Sequence, residues 1–221
     1  MVQAAHETGK TLGVAYYRRM YPKVQHAMQL IEAGAIGKPV LAEANHHSAL
    51  PAQGAFRAWL VDPKLAGGGP LFDVASHRID LFNYLFGKPA RVMAQLSNAV
   101  LQMPVEDNAT VLIEYDSGVR GIVDVRWHSK ITRDQFRIVG TDGEINLDPL
   151  SGPEFVHPGG REHLPAHENI HFPCVQNFVN AVLDGTPLVS SGESAIWTDW
   201  VTEQAVHSIP HRSIPSRSNP H

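Results

Sequence analysis

Apolar positions recur along this chain in two rhythms, a helical one toward either end and a strand-like alternation in the middle. PKVQHAMQLIEAG places Val24, Ala27, Met28 and Ile31 on one face, opens on a proline and stops at Gly34, which predicts an amphipathic helix. The alternating KPVLAEANHHS predicts a strand after it. Residues 49 to 66, ALPAQGAFRAWLVDPKLA, have no clear period and read as a surface loop. After Pro89 the period becomes two: ARVMAQLSN, then NATVLIEYDSGVRGIVDVRWHS, with Asp116-Ser117-Gly118 as a hairpin turn. QFRIVGTDGEINLD repeats the arrangement around Thr141-Asp142-Gly143, while Pro149 to Pro173, rich in Pro, Gly and His, reads as chain that lies at a sheet edge or over it. Helical rhythm returns with Val175, Phe178, Val179 and Val182 on one face, stopping at Gly185, and again with Ile196, Trp200, Val201 and Ala205. At the other end, MVQAAHETGKTLGVAYYRR reads as a helix tail stopped at Gly9 and then a short buried strand, LGVAYY. Hairpin-joined strands flanked by helices predict an α+β fold: an open, mainly antiparallel sheet with helices on one face.

Composition narrows the function. At 221 residues, 43% of them hydrophobic, the chain can bury a core. Its net charge of −4, from 18 basic and 22 acidic residues, offers no basic field for nucleic-acid phosphates, so nucleic acid is not the expected partner. No apolar run approaches the roughly 20 residues that span a bilayer, and the first residues lack signal-peptide order. A cytoplasmic protein with no membrane partner is expected. The single cysteine, Cys174, cannot form an internal disulfide.

Candidate chemistry concentrates in GGGPLFDVASHRIDLFNYLFG, Gly67 to Gly87. In a helix Asp73 and His77, four apart, share one face and lean toward the helix start, where unpaired N–H groups and the dipole favour negative charge. The glycines let the backbone approach whatever binds there, and Asp80, three beyond His77, is placed to fix an imidazole tautomer. The same residues also suit an ordinary buried helix with a dipole-favoured Asp and a satisfied core histidine. A phosphate cradle is excluded, because no Gly-x-x-x-x-Gly-Lys-Ser/Thr or Gly-x-Gly-x-x-Gly occurs. His163, His167 and His171 are spaced by four, but Pro165 and Pro173 break the helix they would need; adjacent His46 and His47 point to opposite sides of a strand. No metal site is expected.

The stretch resembles the Gly-Gly-Gly-x-Leu-x-Asp-x-x-x-His-x-x-Asp signature of the Gfo/Idh/MocA oxidoreductases. AYYRRMYPKVQHAMQLIEAGAIGKPV is similar to the Arg-Arg-x-x-Pro helix and Gly-x-x-Gly-x-Pro/Val entry that follow that family's nucleotide domain. FVNAVLDGTPLVSSGESA is similar to its closing helix and loop, so the resemblance runs from about residue 10 to 208. It implies a Rossmann domain holding NAD or NADP joined to an α/β domain that shapes a sugar or polyol site and often makes oligomer contacts. This chain resembles the second part and only the end of the first: residues 1–20 as a remnant of a nucleotide-binding domain, 21–208 as the substrate and oligomerisation domain, 209–221 as a disordered tail. The family's Gly-x-Gly-x-x-Gly and Glu-Lys-Pro segments are absent.

Carried over residue by residue, His77 matches the family's catalytic histidine, which takes or gives the hydroxyl proton, and Asp73 matches the carboxylate that binds substrate hydroxyls beside it. Arg18, Arg19 and Tyr16 fall where the family's chain leaves its nucleotide domain, so the resemblance implies that Arg18 and Arg19 bind substrate and that Tyr16 and Arg18 border the cofactor. Trp127, with Arg126 and His128, ends a strand that can face the same cleft. The expected function is the substrate-binding part of an NAD(P)-dependent oxidoreductase of sugars or polyols, inactive alone and homo-oligomeric through its sheet. The alternative is a non-catalytic remnant that self-associates, or binds a full-length relative, through that sheet.

Overall fold

The computed structural model describes residues 1–50 and 55–208; the expectations for the loop tip at 51–54 and for the tail from 209 lie outside them. Among the described residues, eight strands form one open sheet in the order β2-β3-β4-β1-β5-β6-β7-β8. The strands are β1 (Pro39–Ala49), β2 (Pro89–Ser97), β3 (Asn108–Tyr115), β4 (Arg120–Arg126), β5 (His128–Gly140), β6 (Glu144–Asn146), β7 (Glu154–His157) and β8 (Gly160–His163). The helices are α1 (Val2–Thr8), α2 (Pro22–Glu32), α3 (Pro63–Ala66), α4 (Ser76–Phe86), α5 (Phe172–Asp184) and α6 (Gly192–His207).

The two hairpins form where the turn residues predict them. Gly118, at φ 86, supplies the left-handed backbone that closes β3 onto β4, so that Asn108 faces Arg126 and Glu114 faces Arg120. One ladder is parallel: β1 runs beside β4, Leu41 opposite Arg120 and His47 opposite Arg126. Parallel pairing needs a long crossover, here the chain between β1 and β4 that carries α4, β2 and β3, and a local alternation pattern cannot announce it.

Period-two alternation buries one face of the sheet. Ala109, Val111 and Ile113 on β3, Val123 and Val125 on β4, Ala42 and Ala44 on β1, and Phe136 and Ile138 on β5 turn inward. Val24 and Ala27 of α2, Ile79 and Phe82 of α4, and Val201 and Ala205 of α6 cover them in one core. A buried polar relay ties the layers. Tyr115 Oη donates to Asn83 Oδ1 at 2.9 Å, and Asn83 Nδ2 donates to Thr198 Oγ1 at 3.1 Å.

Two expectations are corrected. LGVAYY is not a strand: it makes only an isolated bridge, Gly13 to Ser191, before a 3-10 turn at Tyr17–Met20, because no neighbouring strand among the described residues extends the ladder. The described part of 49–66 is not plain loop, since it forms a 3-10 turn at Ala55–Val61 and then α3, capped by Asp62 Oδ1 accepting from the Lys64 amide at 2.8 Å. The segment after Pro149 does lie at the sheet edge, where β7 and β8 pair as a hairpin that extends it. The helix expected to end at Gly185 forms as α5, and its shared apolar face is exposed. Val175, Phe178, Val179 and Val182 are 58, 37, 39 and 56% exposed.

Candidate active site

α4 begins with a wide turn. Leu71–Ala75 is π-helical, and the Ser76 amide donates to the carbonyl of Leu71 five residues back. That extra residue removes Asp73 and His77 from the simple stacking that four-residue spacing gives in an α-helix. Asp73 is exposed on the wide turn, and His77, the second residue of α4, is half-buried.

The electropositive helix start is already taken. Glu106, in the loop before β3, accepts from the Gly69 amide at 2.8 Å and from the Leu71 amide at 3.0 Å. A Cβ on Gly69 would collide with the Glu106 carbonyl oxygen, and one on Gly68 with the Phe72 ring. The glycine run therefore admits the chain's own Glu106 and Phe72 rather than a ligand. No dinucleotide cradle is built at these glycines, so this stretch does not fit the phosphates of NAD or NADP.

His77 lies among aromatic and cationic groups. Its ring meets Tyr16 edge-on at 5.6 Å and Tyr17 at 5.3 Å, and Tyr17 in turn meets His171 at 4.3 Å. Burial first, then Arg18, Arg78 and His171, lowers the imidazole pKa to about 4. His77 is thus neutral at neutral pH. Its Nδ1 is buried without a hydrogen-bond partner among the described residues. Asp80 does not fix that tautomer. It turns inward to Arg19, accepting from Nε at 2.9 Å and from the terminal nitrogen at 2.6 Å. Burial pushes the Asp80 carboxyl up to about 6, with Arg19 pulling it down.

The other expected site residues divide between cleft and interior. Arg18 is half-buried beside His77, its guanidinium over Tyr17 at 5.1 Å and donating to Tyr21 Oη at 3.0 Å. Arg19 is withdrawn from the cleft: 2% exposed, it bonds Asp80, the Val189 carbonyl at 2.7 Å and Ser194 Oγ at 2.9 Å. Tyr16 is 9% exposed and packs on His77, while burial followed by Asp80 and Asp199 holds its phenol protonated. Its phenol borders a cavity of about 450 Å³ with Phe72, Ser76, Asp199 and Thr202. Trp127 is 3% exposed and locked with Leu60 and Val105 in a second small apolar cluster, so its ring presents nothing to a ligand.

Two neighbours of His77 escaped the sequence reading as site residues. Tyr17 had a local signal, the YYRR run; His171, 94 positions from His77, had none. His46 and His47 do take opposite faces. His46 Nδ1 accepts from Arg78 at 2.9 Å on the helix side, and His47 Nε2 meets Asp124 at 2.8 Å. Arg78 also donates to Asp134 at 2.5 Å; burial pulls that carboxyl up, but His46 first and then Arg78 hold it well below its usual range.

Comparison with known proteins agrees with this architecture. A model of the GFO/IDH/MocA C-terminal domain matches residues 24–146. The chain is 25% identical over 207 residues to 1,5-anhydro-D-fructose reductase of Ensifer adhaerens, covering 90% of this chain and 62% of that protein. It is 30% identical over 150 residues to scyllo-inositol 2-dehydrogenase (NAD(+)) of Bacillus subtilis, covering 65% and 42%. The chain therefore spans about six tenths or less of the length of these curated relatives. Aldose-aldose oxidoreductase from Caulobacter crescentus, complexed with glycerol, has the same fold, with a TM-score of 0.80 at 21% identity over 94% of this chain and 64% of that one. With more than half its length matched by that model, the chain belongs to the Gfo/Idh/MocA family.

Proposed function

We propose that this chain is the substrate-binding part of an NAD(P)-dependent oxidoreductase acting on a sugar, polyol or related hydroxyl compound. The observation that carries the reading is His77: a neutral imidazole beside Arg18 and Tyr17, one turn beyond the exposed carboxylate of Asp73. A neutral imidazole can accept a hydroxyl proton, and an exposed carboxylate can bind neighbouring hydroxyls. In this reading His77 exchanges the proton, Asp73 and Arg18 hold the substrate, and NAD or NADP enters with residues outside this chain. The named activities of the Ensifer and Bacillus relatives support the substrate class and the cofactor. Net charge and the lack, among the described residues, of any helix long and apolar enough to cross a membrane favour a small sugar partner in the cytoplasm over nucleic acid or lipid.

Packing supports the domain reading. α1 has no buried residue, and residues 1–20 touch the rest through the Gly13–Ser191 bridge, a His6–Glu193 contact of 2.7 Å and the turn carrying Tyr16 to Met20. We assign residues 1–20 to a nucleotide-binding unit and 21–208 to the substrate unit, with the exposed apolar face of α5 as the surface the nucleotide-binding half covers. The test joins the nucleotide-binding half of the Ensifer reductase ahead of this chain and assays a sugar and polyol panel with NAD and NADP. Turnover that disappears in His77→Asn is expected. A folded fusion inert on the whole panel overturns the reading.

Self-association rests on a separate observation. The uncovered face of the sheet carries Met93 and Leu112, 55 and 42% exposed, around a cavity of about 400 Å³ edged by Arg91, Glu114 and Arg120. This face suits a second copy of the chain. A monodisperse monomer in sedimentation at high concentration counts against it.

A further inference from the structure

Two imidazoles and a carboxylate converge where α2 meets the β7–β8 hairpin, and the reading above uses none of them. Glu162 Oε1 lies 3.3 Å from His26 Nε2 and 2.8 Å from His157 Nε2. One ligand atom from each of the three residues falls within 4.8 Å of the others. We propose that His26, His157 and Glu162 form a zinc-binding site that fastens α2 to the edge of the sheet.

The donor set is one that zinc takes: two imidazole nitrogens and one carboxylate oxygen, with a fourth position left for water. Zinc–nitrogen bonds of roughly 2.0–2.1 Å in a tetrahedron set ligand atoms about 3.3 Å apart. His26 and Glu162 already stand at 3.3 Å; His157 and Glu162 need to part by roughly 0.5 Å to reach that tetrahedral edge. The imidazoles are held for this. His26 meets Phe155 edge-on at 5.2 Å and His157 at 5.6 Å, and His157 lies 5.3 Å from Phe155. The side chains are 33, 11 and 38% exposed for His26, His157 and Glu162, so the open position faces solvent.

The proton balance is explicit. The Gly159 amide donates to His157 Nδ1 at 3.2 Å, which places the ring proton on Nε2, toward Glu162. Zinc takes the Nε2 lone pair, the ring proton passes to Nδ1 by exchange with water, and the long Gly159 hydrogen bond is released. The imidazole stays neutral throughout. α2 is already tied near the same edge by Lys23 Nζ, which donates to the Pro149 carbonyl at 2.6 Å, so the ion adds a second tie one helical turn further on. His26 and His157 are 131 positions apart in sequence, which is why no motif shows the site.

The test titrates the metal-stripped chain with Zn²⁺ alone by calorimetry and with Co²⁺ by visible absorption, following the thermal midpoint in parallel. One equivalent of zinc is expected, with tetrahedral cobalt bands and a raised midpoint. His26→Gln and His157→Gln should each weaken that equivalent by more than about 100-fold, the upper end of what losing even an outer-shell partner of a ligand costs. Glu162→Gln, which keeps the side chain's shape, should weaken it too, whereas His163→Gln on the neighbouring exposed position should not. Circular dichroism shows which variants are folded. The proposal is overturned if the wild-type chain takes up no zinc, if the bound equivalent survives in the folded His26, His157 and Glu162 variants, or if it is lost equally in His163→Gln.

Discussion

Arg19 and Asp80 form a two-pronged ion pair in the interior, 2.9 and 2.6 Å long, with side chains only 2 and 1% exposed. The pair joins the turn at Tyr17–Met20 to α4, and through Val189 and Ser194 to the start of α6. Removing one partner strands the other charge away from water. Asp80→Asn should therefore cost about 3–5 kcal/mol of unfolding free energy by denaturant titration, and the double variant Arg19→Met/Asp80→Leu should recover much of it. A loss below about 1 kcal/mol, the scale of an exposed pair, would show that the pair does not hold the turn.

His77 gives a pH signature. Its folded pKa of about 4 lies below the ordinary imidazole value of 6.5, so the unfolded chain binds the proton more readily. Its contribution is complete above pH 6.5 and is lost as pH falls toward 4, amounting to about 3 kcal/mol at 1.36 kcal/mol per unit. The stability difference between wild type and His77→Gln should shrink by about that amount between pH 7 and pH 4. A difference that stays flat with pH sinks the assignment.

Glu106 caps the glycine-rich start of α4. Glu106→Ala frees two amides, at Gly69 and Leu71, and should cost about 1–2 kcal/mol, as loss of an N-terminal cap does. Gly69→Ala forces a methyl against the Glu106 carbonyl and should cost about 1–3 kcal/mol. Urea midpoints distinguish these losses from no change, the outcome if the glycines serve a ligand instead.

The α5 face predicts a split between stability and assembly. Val182→Lys lies on an exposed position and should change this chain's stability by less than about 0.5 kcal/mol. In the fusion with a nucleotide-binding half, the same change should lower turnover by disturbing the covered face. Full activity in the fused variant would place the docking surface elsewhere.

The local rules were legible where they concern neighbours in sequence. Pro22 and Gly185 bound their helices as read, the Asp116–Gly118 and Thr141–Gly143 turns close hairpins, and alternation in β3 and β4 names the buried face. Asp73 and His77 were legible as a pair by spacing, and the resemblance carried their roles. Their real relation was not legible, because a single π-helical turn at Leu71–Ala75 changes the face on which each one sits. Arg19 illustrates the same limit: an arginine beside the expected site reads as a ligand for substrate until the fold places Asp80 against it.

By itself, the sequence determined the α+β class, the succession α2, β1, α4, β2 to β6, α5 and α6, and the presence of the Asp73–His77 helix, since these follow from periodicity and turn chemistry within a few residues. Only the tertiary structure decided which charges are spent internally, that Glu106 occupies the helix start, that β1 pairs in parallel with β4, and that His26 meets His157 and Glu162. Those outcomes depend on contacts between residues far apart in the chain. Their distances are set by how the layers pack, a quantity that no local pattern of residue types contains.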